Sequence, residues 1–157
     1  MFRGFVVEAN APVRAALVEG LAELAGVTTV GYAGDDSTAV AWLSDPSNDW
    51  DIAIVDLHLG TGGSGYAVLE ALSCRQPYQR VVVWTATAGL VEKSRCLTFG
   101  VDRVFDRATE TSQLMEYCMT QCEAHALGAT SAHGRFPQAS AHPTAQRGFI
   151  SAALFGV

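Results

Sequence analysis

Four side chains able to do chemistry fall at the ends of apolar runs spread along the sequence. Glu8 follows Phe5-Val6-Val7, and Asp56 follows Ile52-Ala53-Ile54-Val55. Thr85 follows Val81-Val82-Val83-Trp84, and Arg107 lies just beyond Val104-Phe105. A lone carboxylate at the end of a run as apolar as 52–55 is costly to desolvate without charge compensation. A hard divalent cation held by Glu8 and Asp56 would supply it, and so would the guanidinium of Arg107. Thr85 adds a hydroxyl and a nearby backbone N–H. A carboxylate, a Mg²⁺, a hydroxyl and a fixed positive charge are what a phosphoryl group needs. The carboxylate attacks phosphorus, while metal and cation neutralise the equatorial oxygens.

The elements that would position this set alternate strand and helix. Phe5-Val6-Val7 reads as a strand. Asn10 is suited to cap the helix that follows, Pro12 fits its first turn, and Gly26 fits its end. Val13, Leu17, Leu21 and Leu24 recur along it at helical spacing. Val27 to Tyr32 is rich in β-branched residues and predicts a second strand. Asp35, Asp36 or Ser37 would cap a helix carrying Val40, Trp42 and Leu43. The run 52–55 is apolar on successive residues, as in a parallel strand covered on both faces. A glycine-rich loop and a helix carrying Tyr66, Val68, Leu69 and Leu72 follow. Residues 80–84 predict a fourth strand, 89–99 a short helix closed by Gly100, and Val104-Phe105 the centre of a fifth strand. Thr109 or Thr111 would cap a last helix with Leu114, Cys118 and Cys122 on one face. Five strand–helix repeats with short right-handed connections predict an α/β fold, a doubly wound five-stranded parallel sheet of flavodoxin-like type. Sites in such sheets lie outside the carboxyl ends of the strands, and that rule brings Glu8, Asp56, Thr85 and Arg107 together.

Composition bounds the rest. The chain has 157 residues, 49% hydrophobic and 17% charged, which excludes wholesale disorder. No apolar run approaches the roughly 20 residues that span a bilayer, and the start is too short for a secretory leader. These features predict a cytoplasmic protein without a membrane partner. The net charge is −6, and all 16 acids lie within residues 1–123. With no basic stripe, direct nucleic-acid binding is not expected. The four cysteines form no C-x-x-C pair. Cys118, Cys122 and His125 lack a fourth zinc ligand, so packed thiols are the better reading. The glycine-rich loop 60–65 matches neither a Walker loop nor G-x-G-x-x-G. The absence of a Ser-His-Asp or Cys-His set at the strand ends weighs against a small hydrolase.

From about Phe5 to Glu123 the chain resembles the response-regulator receiver domains of two-component signalling. The resemblance is carried by Val6-Val7-Glu8, by Ile54-Val55-Asp56-Leu57-His58-Leu59 with the following Gly-Ser-Gly, by Val83-Trp84-Thr85-Ala86, and by Gly100 to Arg107. It implies a stand-alone receiver, a signalling domain rather than an enzyme, whose only catalysis would be its own phosphorylation and dephosphorylation. Asp56 would be the phosphoacceptor, fed by a phosphohistidine on a sensor histidine kinase or a phosphotransfer protein. Thr85 would be the switch hydroxyl, and the Ala86 N–H would bond a phosphate oxygen. Mg²⁺ would be held by Glu8, Asp56 and the backbone carbonyl of His58. Output would pass by contact with a downstream protein through the fourth helix, fifth strand and last helix.

The chain departs from the family pattern in several places. The usual acidic pair after the first strand reads Glu8-Ala9, so one metal ligand is missing. Arg107 stands where the family has lysine, and arginine is larger and planar. A standing Arg107–Asp56 pair, locking an unphosphorylated state, is its simplest other role. The usual proline after it is Ala108, and the usual aromatic of the fifth strand moves from position 104 to Phe105. The other reading is therefore a phosphorylation-independent pseudo-receiver acting as a protein-binding module.

The expected domains are a receiver over 1–125 and a low-complexity tail over 126–157. Residues 128–147 cannot build a core and read as linker or disorder. The last eleven residues turn apolar again, with Phe149, Ile150, Leu154 and Phe155 as candidates to dock on the chain's own body, a partner or a second subunit of a homodimer.

Overall fold

The computed structural model describes residues 1–61 and 63–134, with side chains described as far as residue 128. The elements are β1 (Phe2–Val7), α1 (Ala11–Ala25), β2 (Val27–Ala33), α2 (Asp36–Leu43), β3 (Ile52–Val55), α3 (Gly65–Ala71), β4 (Arg80–Thr85), α4 (Leu90–Thr98), β5 (Arg103–Asp106) and α5 (Thr111–Gly134). The strands form one five-stranded sheet in the order β2-β1-β3-β4-β5. Every neighbouring pair is parallel. This is the doubly wound α/β sheet that the alternation predicts.

Local chemistry sets the element ends. The Asn10 side chain accepts a hydrogen bond from the Val13 N–H at 3.1 Å and opens α1. Gly26, at φ 69°, closes α1 in the left-handed region that glycine enters without penalty. Asp35 caps α2 through the Thr38 N–H at 2.7 Å. Its pKa is held below the ordinary value by that bond and by the Thr38 and Ser37 hydroxyls. The cap expected of Thr111 is instead a tie. Its hydroxyl donates to the Arg107 carbonyl at 2.9 Å and accepts from Trp84 Nε1 at 3.0 Å.

Side chains alternate across the sheet, and the two faces take different helices. Phe5, Val7, Ala53, Val55, Val81 and Val83 pack with Ala39 and Leu43 of α2, Val68 and Leu69 of α3, and Cys96 of α4. Val6, Ile52, Ile54, Val82, Trp84 and Phe105 pack with Leu17 and Leu21 of α1 and Leu114, Met115 and Cys118 of α5. Burial of the Cys118 thiol in this second layer raises its pKa to about 12. It is packed as a core residue. Leu24, expected on the buried stripe of α1, is exposed, and Ala25 fills the buried position beside it. Asp51 ties β1 to the start of β3, accepting from the Arg3 backbone N–H at 2.8 Å and from its Nε at 3.1 Å.

Met1–Cys122 forms one compact unit, and a second unit begins at Glu123. Helix α5 runs on to Gly134, through residues 128–134 that composition assigns to a linker. Those positions carry two alanines, strong helix formers, beside two glycines, the weaker helix formers at 128 and 134. The rest of the expected tail, with its apolar end, lies outside the described residues. Among the described residues no helix is long and apolar enough to cross a membrane.

Candidate functional site

The parallel register delivers the four strand-end residues to one edge of the sheet. Val7 pairs with Val55, Val55 with Val83, and Thr85 with Asp106. Glu8, Asp56, Thr85 and Arg107 each follow or end one of these strands. Glu8 is 2% exposed, Asp56 5% and Thr85 0%. Backbone bonds fix three of them. The Glu8 N–H donates to the Ala33 carbonyl at 3.0 Å, the Asp56 N–H to Val7 at 2.9 Å, and the Arg107 N–H to Thr85 at 2.9 Å.

Arg107 is the centre of the cluster. Its Nη2 lies 2.6 Å from Glu8 Oε2 and 3.1 Å from Asp56 Oδ2, so one nitrogen bridges both carboxylates. Its guanidinium carbon lies 4.5 Å from the centre of the Trp84 ring, within the range of a cation–π contact. The other Glu8 oxygen, Oε1, accepts the Asn10 N–H at 3.0 Å. Burial raises the Glu8 pKa above the ordinary carboxylate value. The Asn10 bond opposes this, Asp56 adds to it, and Arg107 opposes it.

Three polar atoms of the site are buried without a protein partner: Asp56 Oδ1, Thr85 Oγ1 and Arg107 Nε. Among the described residues only one other buried side-chain polar atom, Thr29 Oγ1, shares that condition. Buried polar groups are normally paired, so this concentration is unusual. It leaves an acceptor oxygen, a hydroxyl and a guanidinium N–H at the ends of β3 and β4 and just beyond β5.

The remaining candidates lie on the rim. Ala86 is exposed directly after β4. His58 Nε2 shares a hydrogen bond with Thr87 Oγ1 at 2.8 Å, joining the loop after β3 to the loop after β4. Asp36 reaches the same loop by accepting the Ser64 N–H at 3.2 Å. Gly65 opens α3 so close to the Asp56 carbonyl that a Cβ there would collide with it.

The divalent cation implied by the resemblance does not fit this arrangement. The expected ligands were the Glu8 and Asp56 carboxylates and the His58 backbone carbonyl, and both carboxylates are already engaged by Arg107. Ala9 contributes no ligand, and the guanidinium nitrogen stands between the two carboxylates that would bind a cation.

Sequence reasoning missed three parts of the site: Trp84 as the platform for Arg107, the Asn10 N–H on Glu8, and Thr87 as the partner of His58. The pairing of Trp84 with Phe105 across β4 and β5 is the signal for the first, since Arg107 follows two residues later. Phe105 itself is buried and tilts against Tyr117 at 5.9 Å, on the same sheet face as Trp84. Val104, facing the other way, is half-buried. Moving the aromatic by one residue has moved it to the opposite face of the sheet.

Comparison with known proteins agrees with this architecture. A response regulator protein from Burkholderia pseudomallei, solved with a phosphorylated aspartic acid, calcium ion and citrate, is similar with TM-score 0.65 and 22% identity, over 83% of this chain and 75% of that one. The Francisella response regulator 1452 receiver domain gives TM-score 0.67 and 16% identity, over 80% and 99% of the two chains. The response regulator domain of Thermotoga maritima CheB gives 0.64 and 17%, over 77% and 96%. The search of curated proteins found no match. The family model described as the response regulator receiver domain matches residues 5–118, most of the sheet and every residue of the cluster, and the chain belongs to that family.

Proposed function

We propose that this receiver accepts a phosphoryl group on Asp56 and passes the signal on by protein contact. The observation that carries the reading is the trio of unpartnered buried atoms, Asp56 Oδ1, Thr85 Oγ1 and Arg107 Nε. A phosphoryl group on Asp56 would give the hydroxyl and the guanidinium charged oxygens to bond. In the transfer, Asp56 attacks the phosphorus of a phosphohistidine. The P–O bond forms as the P–N bond breaks, and the imidazole nitrogen keeps the electron pair and takes up a proton. The donor would be a sensor histidine kinase or phosphotransfer protein acting in the cytoplasm. Arg107, about a quarter exposed, would shift from Asp56 Oδ2 onto the new phosphoryl oxygens. On the output side, Leu90, Val91 and Leu97 of α4 are exposed and offer an apolar contact for a downstream protein.

A second reading rests on the same arginine. Asp56 is almost closed to solvent and already paired, which favours a pseudo-receiver that binds a partner without being phosphorylated. One experiment separates the two. Incubation with acetyl phosphate, with and without added divalent cation, followed by intact mass should give a single phosphate adduct that is lost in Asp56→Asn. A wild-type protein that takes up no phosphate under either condition would leave the pseudo-receiver reading standing.

A further inference from the structure

We infer that the guanidinium of Arg107 is the resident counter-charge of this site and takes the place of a divalent cation, so that the chain binds no metal there. The inference concerns the same site as the phosphoacceptor reading and rests on it only for the last arm of the test below.

The argument starts from the four carboxylate oxygens. Glu8 Oε2 and Asp56 Oδ2 are both committed to Arg107 Nη2, at 2.6 and 3.1 Å. Glu8 Oε1 is committed to the Asn10 N–H at 3.0 Å. Only Asp56 Oδ1 is free of a protein partner. A cation bridging Glu8 and Asp56 would have to displace Nη2, because that nitrogen already lies within hydrogen-bond reach of an oxygen from each.

Displacement is opposed from three sides. The guanidinium is stacked over Trp84 at 4.5 Å. The Arg107 N–H is bonded to the Thr85 carbonyl, and its own carbonyl accepts the Thr111 hydroxyl. These bonds keep the start of the side chain beside the cluster. An evicted guanidinium would therefore stay close to the incoming ion and repel it. Arginine cannot relieve that repulsion by losing its proton. The alanine at position 9 completes the case, since no third carboxylate stands beside Glu8 to replace the side-chain oxygens that Arg107 occupies.

The test is Mn²⁺ binding followed by electron paramagnetic resonance, with Trp84 fluorescence as an independent reporter. Wild type should leave Mn²⁺ free up to about 1 mM, well short of a specific site. The Ala9→Asp/Arg107→Lys protein, checked for folding by circular dichroism, should bind it at least about tenfold more tightly. Saturable sub-millimolar binding by wild type, competed by Mg²⁺, quenching Trp84 and lost in Glu8→Gln, would overturn the inference. In the last arm, acetyl phosphate should label Asp56 equally well in chelator and in Mg²⁺. Strong stimulation by Mg²⁺ would count against the inference. A failure to label in both would count against the phosphoacceptor reading alone, with Mn²⁺ binding still deciding this one.

Discussion

At the scale of single residues, the site is a contest between desolvation and pairing. Glu8 and Asp56 are both buried carboxylates, and one guanidinium nitrogen serves both. Buried ion pairs of this kind recover only part of the cost of leaving water. Burial accordingly raises the Glu8 pKa above its ordinary 4.5. The sign of its pH dependence follows. Between 4.5 and the raised folded value, the unfolded chain has released this proton while the folded chain still holds it. Folding is therefore favoured less and less as pH rises through the window between the two values. Glu8→Gln does not titrate and serves as the reference. The stability of wild type minus that of Glu8→Gln, from urea unfolding, should fall as pH rises above the ordinary 4.5, by about 1.4 kcal/mol for each unit by which the folded value is raised. A difference that is flat or rises would mean that Arg107 outweighs burial. The four strand-end residues were legible in the sequence because the carboxyl-end rule needs only strand positions. The sharing of Arg107 between two acids was not. It depends on how far a flexible side chain reaches across β3 and β4, and on a Trp84 face that no spacing reveals.

At the scale of elements, backbone proximity does the positioning. The Gly65 N–H donates to the Leu57 carbonyl at 3.0 Å, which seats the first turn of α3 directly against the chain carrying Asp56. A Cβ at Gly65 would collide with the Asp56 carbonyl and lie 2.7 Å from Leu57 Cα. Both neighbours are backbone, so neither can rotate away. Gly65→Ala should cost about 1–3 kcal/mol in urea unfolding, the usual range for forced overpacking. It should also shift the Asp56 and Leu57 amide signals in an NMR spectrum. An unchanged stability would show that α3 can slide outward freely. The caps of α1 and α2 and the close of α1 were readable because Asn10, Asp35 and Gly26 act on their immediate neighbours. Thr111 was misread for the opposite reason. Its partners are Arg107 and Trp84, and the second lies 27 residues away on strand β4. The reach of α5 to Gly134 was hidden by a composition that suits both a linker and a helix.

At the scale of the whole sheet, the molecule is two cores separated by one layer of strands. One core lies under α2, α3 and α4, and the other under α1 and α5. The proposed output surface of α4, β5 and α5 therefore draws on both. A signal confined to one core would move only part of it. Whether the cores are energetically separate can be measured with two substitutions. Leu69 is buried in the first core and Ile52 in the second, with no cluster in common. Ile52→Val should cost about 0.5–1.5 kcal/mol and Leu69→Ala about 2–5 kcal/mol. If the sheet is a rigid divider, the double variant should equal the sum to within about 0.5 kcal/mol, with unchanged urea dependence. A coupling well beyond that would mean that β3 shifts as a unit and carries strain from one face to the other. Because Asp56 directly follows β3, such a strand would also carry the state of the proposed acceptor into both cores. Additivity would instead assign communication to the loops that Arg107, Thr87 and Thr111 tie together at the strand ends.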